Sequence, residues 1–141
     1  MSAASDFLED ALLDHVLTNT AFTSPTTVYA ALFTSDPSVG DTADNLEAGT
    51  LTTEVSDSGT AYARQAITFG AASGGSSTTT ANVTFPAAEA NYGTVTHVAI
   101  MSNATVGAGE VYFYGELDTH KTIESGDTFQ ITTGNLTVTL A

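Results

Sequence analysis

The sequence predicts a mainly β protein: an antiparallel β-sandwich with one N-terminal α-helix. Three observations lead there. Apolar residues recur at helical spacing only near the start of the chain. Beyond that the apolar period changes to two, in seven or eight short runs. Gly-, Asp- and Ser-rich turns separate those runs, the pattern of short strands stacked in two layers. A chain of 141 residues suits one hydrophobic core, and no repeat of fixed period divides it, so residues 1–141 are expected to form a single domain.

The helix is placed within residues 1–20. Ser5 is its expected N-cap, Asp6, Glu9 and Asp10 favour the positive end of the helix dipole, and His15 stands in the last turn. Leu8, Ala11, Leu12, His15 and Val16 follow the helical period, and Phe7, Leu13 and Leu17 widen the stripe. Thr27 to Ser35 is apolar at odd and even positions alike, which reads as a strand buried on both faces. Asp36-Pro37 ends it, and residues 36–60 read as a long acidic surface loop. Strands follow at Ala61 to Phe69 and around Val83 and Phe85, the second stopped by Pro86. Thr94 to Met101, the run marked by Val111, Phe113 and Leu117, then Phe129 with Ile131, and finally Leu136, Val138 and Leu140 complete the set.

Charge limits what the protein binds. The chain holds 16 acids against two bases, Arg64 and Lys121, for a formal net charge of -14. Two cations cannot displace the counterions of a duplex, so nucleic acid and anionic membrane surfaces are not expected partners. Charge of one sign at this density opposes compaction in dilute buffer. Molar salt shortens the Debye length to about 3 Å and screens that repulsion, so the composition suits a protein built for high salt. Cysteine is absent, and no apolar run approaches the ~20 residues of a membrane-spanning helix. The first residues lack the basic segment of a signal peptide, so no secretion of the chain by itself is expected.

No catalytic residues and no cofactor are expected. Gly74-Gly75-Ser76 has no lysine beside it to hold a phosphate, and no Gly-x-Ser-x-Gly elbow occurs. The three histidines never take metal-ligand spacing; His97 reads as a core or interface residue and His120 as exposed. Asp41, Asp44 and Glu47 are weak candidates for a cation site, lacking the glycine and closing glutamate of a calcium loop. Strict alternation would put Phe113 on one face and Tyr112 with Tyr114 on the other, making the tyrosines a second packed face or an interface. Leu13 and Leu17 are the expected interface residues of the helix, whose stripe is too wide for one covered side.

Phe7-Leu8-Glu9-Asp10-Ala11-Leu12-Leu13-Asp14-His15-Val16-Leu17, followed by Val28-Tyr29-Ala30-Ala31-Leu32-Phe33, resembles the start of a family of small tailed-virus virion proteins commonly labelled phage tail fibre proteins. The resemblance continues through Tyr62-Ala63-Arg64-Gln65, Thr84-Phe85-Pro86-Ala87-Ala88, Gly93-Thr94-Val95-Thr96-His97-Val98 and Lys121 to Phe129, essentially the whole chain in order. Tyr92 stands where relatives tend to carry tryptophan. The resemblance implies a virion structural protein without catalytic residues. Joined to the acidic composition, it implies a tailed virus of a halophilic archaeon.

Three functions compete at this point. The first is a capsid decoration or turret protein, homo-oligomeric and fixed to the major capsid protein or another virion protein. The second is a tail fibre or baseplate component that binds the host surface. The third is a small enzyme acting on surface glycans. Decoration ranks first because the chain is short and lacks the repetitive sequence of a fibrous shaft. A host glycan or glycoprotein is a further expected contact through the loop at 36–60. Each of the first two places the protein on the virion, assembled in the host cytoplasm and exposed on the particle surface.

Overall fold

In the computed structural model, residues 2–37 and 53–140 are described. Nine strands and one helix occur among them: β1 (Ser2–Ala4), α1 (Asp6–Leu17), β2 (Val28–Phe33), β3 (Gln65–Ile67), β4 (Ser76–Thr78), β5 (Val83–Thr84), β6 (Gly93–Met101), β7 (Val111–Ile123), β8 (Gln130–Ile131) and β9 (Thr137–Thr139). The protein is mainly β with one helix near its N-terminus, as the period change predicts. An antiparallel sheet in the order β1-β7-β6-β2-β3 forms one layer. Two antiparallel ribbons, β4-β9 and β5-β8, pack beside it in place of a second continuous sheet.

Alternation along β2 explains why this strand is apolar throughout. Ala30 and Leu32 face the larger core with Val83, Phe85, Val95, Val98, Ile100, Phe129 and Ile131, contributed by β6, by both strands of the β5-β8 ribbon and by the segments flanking it. Ala31 and Phe33 face the opposite side and pack with Ala99, Met101 and Val111. The expectation of a strand covered on both faces holds at Ala30 through Phe33, all fully buried. Four aromatic rings anchor the larger core. Tyr62 stacks on Phe85 at 6.1 Å between centroids, and Tyr92 and Phe129 meet them edge-on at 5.7 Å.

Two irregularities in the β6-β7 pairing break the simple alternation. Val95 pairs with Lys121 and His97 with Glu116, so residues 117–120 bulge out against the single Thr96. Ile100 pairs with Phe113 but Met101 with Val111, which leaves Tyr112 as the extra residue of a second bulge. Val95 and Val98 therefore lie in the same core although three positions apart.

The segment that the sequence assigns to a long surface loop divides. Residues 38–52 lie outside the described residues. Glu54 bridges Phe33, the Val55 amide donates to the Leu32 carbonyl at 2.9 Å, and Val55 is buried in the larger core. Burial of one valine and two ladder hydrogen bonds, the second from the Thr34 amide to the Thr53 carbonyl at 3.0 Å, tie this stretch to the sheet, which a Gly- and Ser-rich composition does not reveal. The N-terminus differs too. β1 precedes the helix and caps the outer edge of β7 by pairing Ser2 to Ala4 with Gly115 to Phe113.

Candidate functional site

Helix α1 begins where its sequence says. The Ser5 hydroxyl accepts the Leu8 amide at 3.3 Å, and the same hydroxyl donates to the Val111 carbonyl. One buried side chain thus caps the helix and fastens it to the start of β7. Leu8 is the buried residue of the helix. Phe7 and Phe22 each approach the Tyr112 ring at 6.3 Å, so the bulged tyrosine becomes the seat on which the helix and its trailing segment rest. The His15 ring accepts the Phe22 amide through Nδ1 at 3.2 Å and closes that segment over the helix end.

The bulge corrects the expected placement of the tyrosines. Tyr112 turns to helix α1, whereas Tyr114 packs against the Ala31, Phe33 and Met101 cluster. They do not share a face. One inserted residue reverses the parity of every position before it, and composition carries no signal of the insertion. Leu13 and Leu17 remain 57% and 73% exposed, and with Val16 (75%) and Leu140 (54%) they are the exposed large hydrophobic side chains among the described residues. Asp41, Asp44 and Glu47 fall outside the described residues.

A cleft of about 390 Å³ opens between α1 and the β-layers. Its walls are almost wholly apolar, with Leu8 and Leu12 on the helix side and Phe22, Phe69, Val138 and Leu140 opposite. The sequence marks Leu8 and Leu12 as helix stripe but offers no means of bringing Phe69 and Leu140 beside them.

A second cavity, of about 490 Å³ and bordered by ionisable side chains, is shaped by the 117–120 bulge. Asp36, His97, Tyr114, Glu116, Asp118 and His120 line it. His120 Nε2 lies 2.9 Å from Glu116 Oε1, His97 Nε2 lies 3.9 Å from Asp36 Oδ2, and His97 Nδ1 meets the Thr96 hydroxyl at 2.8 Å. Among the described residues, no cluster of three or more His, Asp or Glu has the geometry to hold a metal ion.

The strongest polar constellation is one that sequence reasoning missed. Arg64 donates from Nε and Nη2 to the two carboxylate oxygens of Glu54, each at 2.8 Å, in a fork buried on both sides. Its Nη1 donates to the Asn103 and Ala108 carbonyls at 2.8 and 2.7 Å. Tyr62 Oη donates to Glu54 at 2.9 Å and accepts the Leu32 amide at 2.9 Å. Burial, reinforced by the Glu54 charge, pushes the Tyr62 phenol far above its ordinary value. Among the described residues every buried side-chain polar atom has a hydrogen-bond partner, this network included, and its bonds join separate stretches of the chain. The signal available in sequence was scarcity: Arg64 is the chain's one arginine.

The model of the family described as "Podophage GP4 fiber I protein gp80" matches residues 3–139, from β1 through β9. The chain belongs to this family. The match supports the resemblance to phage fibre-type proteins, and it makes the chain a component of a virus particle of structural type. No curated protein matches the chain. In this fibre-family protein the matched span takes in the capped helix, the apolar cleft beside it and the buried Arg64–Glu54 pair together.

Proposed function

We propose that the protein is a non-enzymatic structural subunit of a fibre-type appendage, displayed on the virion surface and held there by contacts with other virion proteins. The family match over residues 3–139 carries this reading. It is supported by the fully satisfied polar core and by the apolar side chains left exposed on α1. Leu13 and Leu17 are the proposed attachment residues, and Tyr112 acts by seating their helix. Host-surface binding is the proposed task of the exposed portion, a glycan or glycoprotein being the partner.

A second reading is capsid decoration or a turret, with a homo-oligomer fixed to the major capsid protein. The observation favouring it is architectural: the described residues form one sheet, two ribbons and a helix rather than a repeating array. The family description as a fibre protein moves the appendage reading ahead of it. Both readings include a high-salt setting, that of a haloarchaeal virus. All described acids except Asp36, Glu54 and Glu110 are exposed, and with Arg64 buried Lys121 is the one exposed base among the described residues.

The experiment is immunogold labelling of purified particles combined with quantitative gel analysis of copies per particle. Gold at the tail with a handful of copies is the expected result. Gold over the whole head with hundreds of copies would establish decoration in its place. Absence from particles that carry all their other proteins would end both readings.

A further inference from the structure

Every large hydrophobic side chain exposed among the described residues stands on α1 or at the lip of the cleft beside it: Leu13, Val16 and Leu17 on the helix, Leu140 at the lip. This concentration is unlike the scatter of single exposed apolar residues on an ordinary surface. The helix adds a second pattern. Leu13 and Leu17 are one turn apart and form an apolar ridge. Asp6, Asp10 and Asp14 follow the same spacing and form a parallel row of carboxylates next to that ridge, and Glu9 stands in line with it, one turn before Leu13. All four acids are exposed.

We infer that this face docks a segment of another virion protein that carries apolar anchors flanked by lysine or arginine at one-turn spacing. The inference rests on the virion-attachment reading above and adds the chemistry of the partner. Charge complementarity selects the occupant. A second copy of this chain would bring its own carboxylates against Asp6, Asp10 and Asp14. Among its described residues it could offer only Lys121 in return, because Arg64 is buried in its pair with Glu54. The cleft, walled by carbon and about 390 Å³ in volume, opens on the Leu8–Leu12 side of the same helix and accepts an apolar side chain of the partner.

The test uses the full chain in the lowest salt at which its circular dichroism is native. The probes are two designed peptides of identical apolar pattern, one amphipathic leucine/lysine helix and its leucine/glutamate counterpart. The leucine/lysine peptide binds, and the counterpart does not. Leu13→Ser/Leu17→Ser, which leaves the net charge unaltered, weakens binding on the order of tenfold or more. Asp10→Asn/Asp14→Asn weakens it more than Glu116→Gln/Asp118→Asn, a pair of equal charge change elsewhere on the surface. Each variant is first checked for native circular dichroism; Leu140→Ser, at the lip of the cleft, replaces the helix double variant should that one not fold.

Equal binding of both peptides overturns the inference, as does unchanged affinity in the leucine variants or an equal effect of the two charge pairs. So does concentration-dependent self-association in sedimentation that Leu13→Ser/Leu17→Ser abolishes, since a second copy would then occupy the face. Detection of the wild-type protein in particles is independent of all these results. A protein present in virions whose leucine variants bind and incorporate normally refutes the docking face while leaving the virion role standing.

Discussion

At Arg64 a single guanidinium joins three stretches of chain: Glu54 beside β2, the residue's own segment, and the Asn103 and Ala108 carbonyls of the β6-β7 turn. Removing one partner leaves a buried charge without its counterpart. Arg64→Met should therefore cost about 3–5 kcal/mol, measured by chemical denaturation in molar salt. The double variant Arg64→Met/Glu54→Leu should lose less than the sum of the single variants, and strict additivity would show that the pair is not coupled. Tyr62, in the same network, supplies a pH dependence whose sign is set. Its folded pKa is raised above the unfolded 10.0, so the folded state retains a proton that the unfolded state releases. Stability is complete below about pH 10 and falls as the pH rises beyond it. Tyr62→Phe should flatten that alkaline limb while losing the Glu54 and Leu32 hydrogen bonds. A limb of unchanged steepness would assign it to another group. Phe33 and Phe113 separate in the same way by burial. Phe33→Ala should cost about 3–5 kcal/mol because the ring is fully enclosed, and Phe113→Ala clearly less because its ring is only half-buried.

Among the elements, α1 depends on its first residue more than on its length. A twelve-residue helix is marginal by itself, and among the described residues its outward Leu13, Val16 and Leu17 are left exposed. Ser5, Leu8 and the Phe7–Tyr112 contact are what bind it to β7. Ser5→Ala removes the cap and the bond to Val111 together, with an expected loss of about 1–2 kcal/mol. Hydrogen exchange should then show α1 amides opening well before those of β2 and β6. A uniform change across the protein would mean that helix and sheet unfold as one unit. The two bulges of the β6-β7 pair work at this scale as well. One delivers Tyr112 to the helix, and the other throws out residues 117–120 to shape the cavity beside His97 and His120.

At the scale of the whole molecule, exposed acids far outnumber exposed bases, and no surface arginine offsets them. The formal charge of -14 is spread from Asp6 to Asp127, so no single substitution corrects it. Dialysis from molar to low salt should lose the β signal in circular dichroism, with the melting temperature falling as the Debye length grows. A melting temperature constant across that range would sink the high-salt reading. The buried Arg64–Glu54 pair should respond little to salt, since neither group faces water, which makes it an internal control.

Local chemistry carried much of this protein. Ser5 and the acids of the first turn announced the helix. The apolar run at Val28 to Phe33 announced a strand buried on both faces. These signals are legible because each arises from neighbours in sequence: a cap within one turn, a period of two. The family resemblance was legible for the same reason, being carried by short strings in order. Tertiary structure alone decided what depends on residues far apart. The bulge at Tyr112 separates it from Tyr114, and no residue type encodes an insertion in a ladder whose register is set by both strands at once. Glu54 and Val55 look like loop until Leu32, Tyr62 and Arg64 arrive to pair and bury them. The cleft between α1 and Leu140 exists only because the two ends of the chain meet across the sheet, a closure that chain entropy opposes and that only the assembled core makes favourable.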